Sequence, residues 1–502
     1  MSTIHWRLWA ACAILSVLST SAHYFSDSLN QVQIHVYAFI NQSITDHYSI
    51  TTCDQFCLSW LWAALSSCTS VGCICSGFVI DYPLRRYGNK FTVLIVNGCM
   101  QITAALVSFL AVQIVSIELL FIGRLLTGVS IIASTCATVY ISECAPSEHR
   151  VRLSSIVYVG VSTWTLVTTI IGLPEVLGTA SGWGYGYLIP IVPSVLLLCS
   201  AFWLPDSPKY LYVSRHKRAA AVQSLMFYQG DECCIEDVLN LMEHECASQS
   251  AADLHTRAQL LRSTSDDAAS HASWRTILTT PEYRWPLLLC LAVNLGSEFG
   301  GTDIVSNYST GIMNFIGIPN DRSATLTFVV TTLPAGFALA LALSLINIVG
   351  RRWLVLVGMS SGLIAMTLLF TCQYVSDQTA KNLLVTIGLA LSSCGYDFGP
   401  SVVSHMIPAE ICPQESRSTT ASIVYGLAWV PTLLVTLTYP PLQTLFGTAA
   451  VLPLIALNLA TIIFLAVYLP ETKGRTVADI TTEWTENTPL IGGQNGTVDQ
   501  GR

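Results

Sequence analysis

Four carboxyl groups interrupt or end long apolar runs of this chain: Glu298, Asp303, Asp397 and Asp27. Ionisable groups at such depth are expensive and usually mark a solute or proton path. No Lys or Arg is expected at comparable depth, so a cationic solute or a proton would supply the countercharge. A plainer alternative stands beside this one: Glu298 and Asp303 sit protonated, bonded to Ser306, Asn307 or Tyr158, and only join helices. His23 and His405 are isolated. No metal-ligand cluster, nucleotide loop or nucleophile–base set occurs, so neither a metal nor a cofactor is expected, and the protein does not read as an enzyme.

The elements that must carry these groups follow from composition. Of 502 residues, 52% are hydrophobic and only 11% charged, against roughly a quarter charged in soluble domains. The charges cluster between apolar runs of about 20 residues, the length that crosses a bilayer. Windows of that length predict spans near 5–24, 58–80, 91–112, 115–140, 153–175 and 185–204, then near 285–310, 324–349, 353–374, 382–407, 419–439 and 446–469. The fold class is therefore an all-α membrane protein of twelve transmembrane helices in two six-helix halves. Its parts are a bundle over 1–204, a central loop with short helices over 205–284, a second bundle over 285–469, and a tail over 470–502. Within the central loop, 248–273 reads as disordered. The basic turns at Arg85, Arg86 and Lys90, at Arg150 and Arg152, at 209–218, at Arg351 and Arg352, at Arg417, and at Lys473 and Arg475 all fall on one side, which places both termini in the cytoplasm. A net charge of −8 argues against a nucleic-acid partner. The partners expected are a small solute and the lipid bilayer, with the monomer as the working unit.

The halves repeat one another. The first carries Arg86, Gly88 and Lys90 after its second span and Glu143, Pro146 and Arg150 after its fourth; the second carries Gly350, Arg351 and Arg352, then Glu410, Pro413 and Arg417. Together with Gly123-Arg124, Pro205-Asp206-Ser207-Pro208, Tyr308-Ser309-Thr310, Trp429 and the run Leu469-Pro470-Glu471-Thr472-Lys473-Gly474-Arg475, these residues make the chain resemble the sugar-porter branch of the major facilitator superfamily, particularly the animal facilitative glucose transporters.

The resemblance implies a facilitative carrier of a hexose or similar polyol, working by alternating access around a site lined by Tyr158, Ser297, Glu298, Asp303, Asn307, Asp397, His405 and Trp429. It further implies an inner network of Arg85, Arg86, Glu143, Arg150, Arg351, Arg352, Glu410, Arg417 and Glu471, pairing across the halves to close the cytoplasmic side. Several amides that glucose carriers present to sugar hydroxyls are replaced: Ser297 and Glu298 stand for two glutamines, Asp303 for an asparagine, Tyr158 for a glutamine, Ala335 and Ala428 for asparagines, and His405 for a tryptophan. Proton-coupled porters carry an aspartate one residue after the counterpart of Tyr24, where this chain has Phe25, so uniport is expected. An organic-cation or proton-coupled carrier is the first alternative, and a sensor that binds solute without transporting it is the second.

Seventeen cysteines lie mostly inside apolar runs as small hydrophobes. Cys53 and Cys57, on the outer side, could form a disulfide. Asn41-Gln42-Ser43 reads as a glycan acceptor in an outer loop. The stretch 486–491 fits an acidic dileucine pattern of endosomal and lysosomal membranes, but the plasma membrane is the first expectation.

Overall fold

The computed structural model describes residues 5–48, 53–146, 149–154, 156–230, 235–236, 238–239, 281–412, 414–473 and 475. The side chains of Arg85, His405 and Arg417 lie outside the described residues, as do Pro413, the region 240–280 and the dileucine-like stretch of the tail. The described residues are mostly helical, with no strand among them.

Nine stretches among the described residues are long and apolar enough to cross a membrane by length and composition. One of them, Gly426–Tyr468, folds as two helices, and Ile156–Ile171 and the pair within 378–411 supply two more, which gives the twelve spans. In the first half these are α1 (Trp6–Gln31), α3 (Gln55–Lys90, turning at Gly88 toward the third span), α4 (Asn97–Gln113), α5 (Ile117–Cys144), α6 (Ile156–Ile171) and α7 (Ile191–Ser200). A further helix, α2 (Gln33–Tyr48), follows α1. Between the halves lies α8 (Arg218–Gln229). The second half holds α9 (Pro281–Phe299), α10 (Thr302–Phe315), α11 (Leu333–Val349), α12 (Arg351–Thr371), α13 (Gln378–Phe398), α14 (Pro400–Ile411), α15 (Gln414–Phe446) and α16 (Leu452–Tyr468).

Local chemistry sets these boundaries. The Ser116 hydroxyl caps α5 by accepting from Leu119 N (3.3 Å), with Glu118 in the first turn beside the positive helix end. Asp377 caps α13 through Ala380 N (2.9 Å). Gly399 and Pro400 break the tenth span, because proline is accommodated at a helix start and not in its interior. The turn glycines of the repeated motif share one conformation: φ is +88° at Gly88 and +95° at Gly350. A side chain on the second would collide with the Glu471 carboxylate, which accepts from Arg351 N (2.9 Å).

Packing repeats in the same order in each half. Helix α1 packs on α6 and α7, α4 on α7 and α3 on α5; correspondingly α9 packs on α15 and α16, α12 on α16 and α11 on α13. Close crossing needs small residues: a Cβ on Gly128 of α5 would meet the Thr69 carbonyl of α3 at 2.1 Å. The halves meet along α3 and α15.

One expectation is corrected. The stretch after the first span is not an outer loop: α1 runs on to Gln31, and α2 buries Val36, Phe39, Ile40 and Ile44, a helical spacing that packs one face on the core. Asn41 is therefore on a helix and half-buried, with the Ser43 hydroxyl buried and accepting from Ile117 N (3.0 Å). Cys53 and Cys57 are joined by a disulfide just before and within the first turn of α3, their Cα atoms 5.6 Å apart.

Candidate functional site: two broken helices and a carboxyl cluster

The helix that opens each half is broken near mid-span. In α1 the run Ser19, Thr20, Ser21 turns its hydroxyls back on its own helix, Thr20 to Ser16 O (2.5 Å) and Ser21 to Leu18 O (3.0 Å), and the helix tightens to a 3-10 turn over Thr20–Ala22. The Ser19 carbonyl accepts from Asn97 Nδ2 (2.9 Å) and Gln101 Nε2 (2.8 Å) of α4. Gln101 Oε1 in turn accepts from Ser21 (2.6 Å) and Ser194 (2.7 Å), and Asn97 Oδ1 from Ser130 (2.6 Å). This buried network is made of neutral groups.

The counterpart break separates α9 from α10 at Gly300 and Gly301. Gly301 adopts φ +83°, ψ 11°, and a Cβ there would enter the Met366 side chain, so only glycine fits. Ser392 of α13 donates to Gly300 O (3.0 Å). Glu298, near the end of α9, and Asp303, in the first turn of α10, face each other across the break with their carboxyl groups in hydrogen-bond reach. Ser297 and Tyr396 also reach Glu298, and Thr432 of α15 reaches Asp303. Asp303 Oδ2 is buried without a hydrogen-bond partner among the described residues. Tyr396 faces Asp397 and Tyr158, while Asp397 faces Ser401. From the other half, Asp27 accepts from Thr165 Oγ1 (3.1 Å) and faces Asp303.

Glu298, Asp303, Asp397, Asn307 and Tyr158 are thus half-buried around the contact between the halves. Trp429 joins them from α15 and packs on Ala22, Cys73 and Ile131 of the first half. Ser297 is buried, donates to Asn294 O (2.6 Å) and reaches Glu298. Asn307 Nδ2 donates to Asp303 O (3.0 Å), stiffening the first turn of α10.

Arg124 corrects the expectation that no cation lies at this depth. It is 1% exposed on α5, donates to the carbonyls of Phe25 and Ser26 (3.2 Å to the latter), and faces Asp27. Its guanidinium is held by the carbonyls of Phe25 and Ser26, with Asp27 facing it from the same helix.

Hydrogen bonds that join the halves gather toward the face opposite the termini. Asn30 Nδ2 donates to Ser309 Oγ (2.8 Å) and Asn30 Oδ1 accepts from Thr310 N (3.2 Å); Thr310 pairs with Gln31 (3.3 Å), Thr169 with Thr332 (3.2 Å) and Ser67 with Thr436 (3.0 Å).

The profile of the family described as "Sugar (and other) transporter" matches residues 12–484. The chain belongs to that sugar transporter family. It is 25% identical over 474 residues to the facilitated glucose transporter member 3 of solute carrier family 2 from Pongo abelii, covering 94% of this chain and 91% of that one. It is also 26% identical over 451 residues to member 9 from Homo sapiens, covering 89% and 79%. Among solved structures, the xylose transporter XylE from E. coli in a partially occluded inward open conformation superposes with a TM-score of 0.72 at 15% identity, over 94% of this chain and all of that one. The fold is accordingly the major facilitator fold, and this sugar transporter family member is an integral multi-pass membrane transporter rather than an enzyme.

Several of the described inner charges have partners in their own half. Asn89 donates to Glu143 (2.9 Å), with Lys209 and Arg150 facing the same carboxylate. The exposed Arg86 offers its carbonyl to Arg215 (3.3 Å). Arg351 bridges to Glu410 (3.1 Å), Thr472 donates to the same carboxylate, Arg352 donates to Ala466 O (2.6 Å), and Lys473 donates to Ile348 O (2.7 Å). These bonds join residues of one half, or of the first half and the central segment, in a structure whose halves are latched on the opposite face. Sequence reasoning did not single out Tyr396, Thr432, Thr165 or the Asn97–Gln101 pair for this site; only the adjacency of Tyr396 to Asp397 offered a signal.

Proposed function

We propose that the protein is a facilitative carrier of a hexose or related polyol, moving it by rocking the two halves around the centre between the broken helices. The observation that carries this is the ring of half-buried hydrogen-bonding groups on both halves, Tyr158, Asp303, Asn307, Asp397, Glu298 and Tyr396, with Trp429 as an apolar floor. A sugar needs such a mix of donors and acceptors together with a flat apolar contact. The names of the relatives, which are facilitated glucose transporters, point the same way.

The termini, the central helix α8 and the inner charge clusters face the cytoplasm in this proposal, in keeping with the distribution of Lys and Arg. The cross-half latch at Asn30 then makes the described state inward-facing, and the inner charges would exchange partners across the halves when the carrier turns outward. The plasma membrane is the proposed location, the monomer the proposed unit, and Asn41 the proposed glycan acceptor.

The test is uptake of labelled glucose and fructose into proteoliposomes of purified protein. Saturable uptake that needs no imposed gradient supports the proposal; absence of uptake for every hexose and polyol tried refutes it. The unpartnered Asp303 Oδ2, with Asp27 opposite, favours one further possibility, an organic-cation carrier. A small organic cation that enters with membrane potential in the same vesicles, where sugars do not, would establish that instead.

A further inference from the structure

Two carboxyl groups, Glu298 and Asp303, face each other across the break between α9 and α10, and two carboxyl groups can be joined by a hydrogen bond only while one of them carries a proton. We propose that Glu298 and Asp303 share a proton across this break, and that the proton fixes the angle between α9 and α10, so that transport through the centre is pH-sensitive. This deepens the carrier function proposed above and rests on it for the transport readout only.

The hinge is visible in the backbone. Gly301 in the left-handed region is the start of α10; its carbonyl accepts from Val305 N (3.0 Å) within that helix, and back to α9 the two glycines donate through Gly300 N to Ser297 O (3.4 Å) and Gly301 N to Glu298 O (3.3 Å). What spans the break besides these are the Ser392–Gly300 bond and the carboxyl pair. Helix α10 also carries Ser309 and Thr310, which latch the halves through Asn30, so the angle at the hinge is passed directly to the contact that must open in the cycle.

The surroundings leave the shared proton without competition from a neighbouring cation. Helix α13 presents Tyr396 to Glu298, with Asp397 beyond it; α15 presents Thr432 to Asp303; α1 presents Asp27; α6 presents Tyr158 to Tyr396. Arg124 on α5 faces Asp27 and Tyr308, and its guanidinium is already held by the carbonyls of Phe25 and Ser26. On α12, Arg351 and Arg352 lie at the far end of the helix, and α16 contributes no charged side chain. Glu410 sits at the end of α14, bridged to Arg351. Loss of the shared proton therefore sets two carboxylates against each other across a glycine hinge.

Two readouts test this. Infrared difference spectra of purified protein in lipid, taken on an alkaline pH jump, should lose a carboxylic-acid C=O band in the wild type. E298Q and D303N should each remove that band, because each amide replaces the proton-bearing bond with its own N–H donor. In proteoliposomes, sugar uptake by the wild type should fall on the order of tenfold or more as pH is raised, the scale set by two like charges in contact. E298Q should flatten that profile whatever its absolute uptake, and E298A should depress it at every pH. A wild type without the band, or a band that survives both variants, overturns the proposal whether or not sugar moves. A band that behaves as stated in a protein that takes up no sugar leaves the shared proton in place and refutes the carrier function instead. A pH profile unchanged by E298Q also overturns the proposal.

Discussion

The breaks in α1 and in α9–α10 occupy the same place in the two halves, yet they are held by opposite chemistry. The first is clasped by amides: Asn97 and Gln101 satisfy the Ser19 carbonyl, and three serine hydroxyls satisfy the amides in turn. The second has Glu298 and Asp303 facing each other, with one Asp303 oxygen lacking a hydrogen-bond partner among the described residues. Neutral groups fully bonded in a membrane interior give a rigid joint that no change of pH can loosen. Carboxyl groups give a joint whose strength depends on a proton. A duplicated scaffold therefore has one half whose hinge is structural and one whose hinge is adjustable, and the adjustable one lies beside the candidate solute site.

The comparison can be broken or sharpened by substitution. The largest loss is expected for G301V, which forces a β-branched residue into the left-handed region and drives its Cβ into Met366; about 3 kcal/mol or more of stability should vanish. A melting temperature in detergent measures it, and M366A in the same chain should recover the steric part only. Next is Q101L, which takes one of the two side-chain donors from Ser19 O and the acceptor shared by Ser21 and Ser194, at about 2 kcal/mol. Its destabilisation should be the same at every pH, whereas E298Q should alter the pH profile with little change in melting.

A smaller effect is expected for N30A. Losing the bonds to Ser309 and Thr310 weakens the latch by about 1 kcal/mol, so labelling of S66C, at a buried position of α3 beside Tyr308, from that face and in a background without the free cysteines, should speed up about fivefold. The smallest is R351A. Its bridge to Glu410 is partly exposed, so less than about 1 kcal/mol is expected in melting, although Thr472 keeps a grip on the same carboxylate.

Much of the fold was legible in the chain. Runs of about 20 apolar residues have few alternatives in a bilayer, and glycine–basic turns repeated at Gly88 and Gly350 adopt the same backbone in both halves. Helix α2 was missed because polarity was read as a loop signal, although Val36, Phe39, Ile40 and Ile44 already carried a helical period. Within the site, Glu298, Asp303 and Asp397 were visible because charge inside a span is rare. Their partners were not. Tyr396 and Thr432 come from other helices, and nothing in the spacing of a sequence says which faces of distant helices will meet. Arg124 was overlooked at depth because its charge is answered by backbone carbonyls of α1, which leave no pattern in the side chains.

Hydrogen exchange read by mass spectrometry, on peptides over 296–305 and over 17–24 in the same lipid sample, compares the two joints directly as pH is raised. Once the intrinsic pH dependence of exchange is divided out, the second-half peptide should lose protection with rising pH while the first-half peptide keeps it, and E298Q should restore protection to the former. Equal behaviour of the two peptides, or loss of protection at 296–305 that E298Q leaves untouched, would contradict the distinction between a structural and a proton-held break.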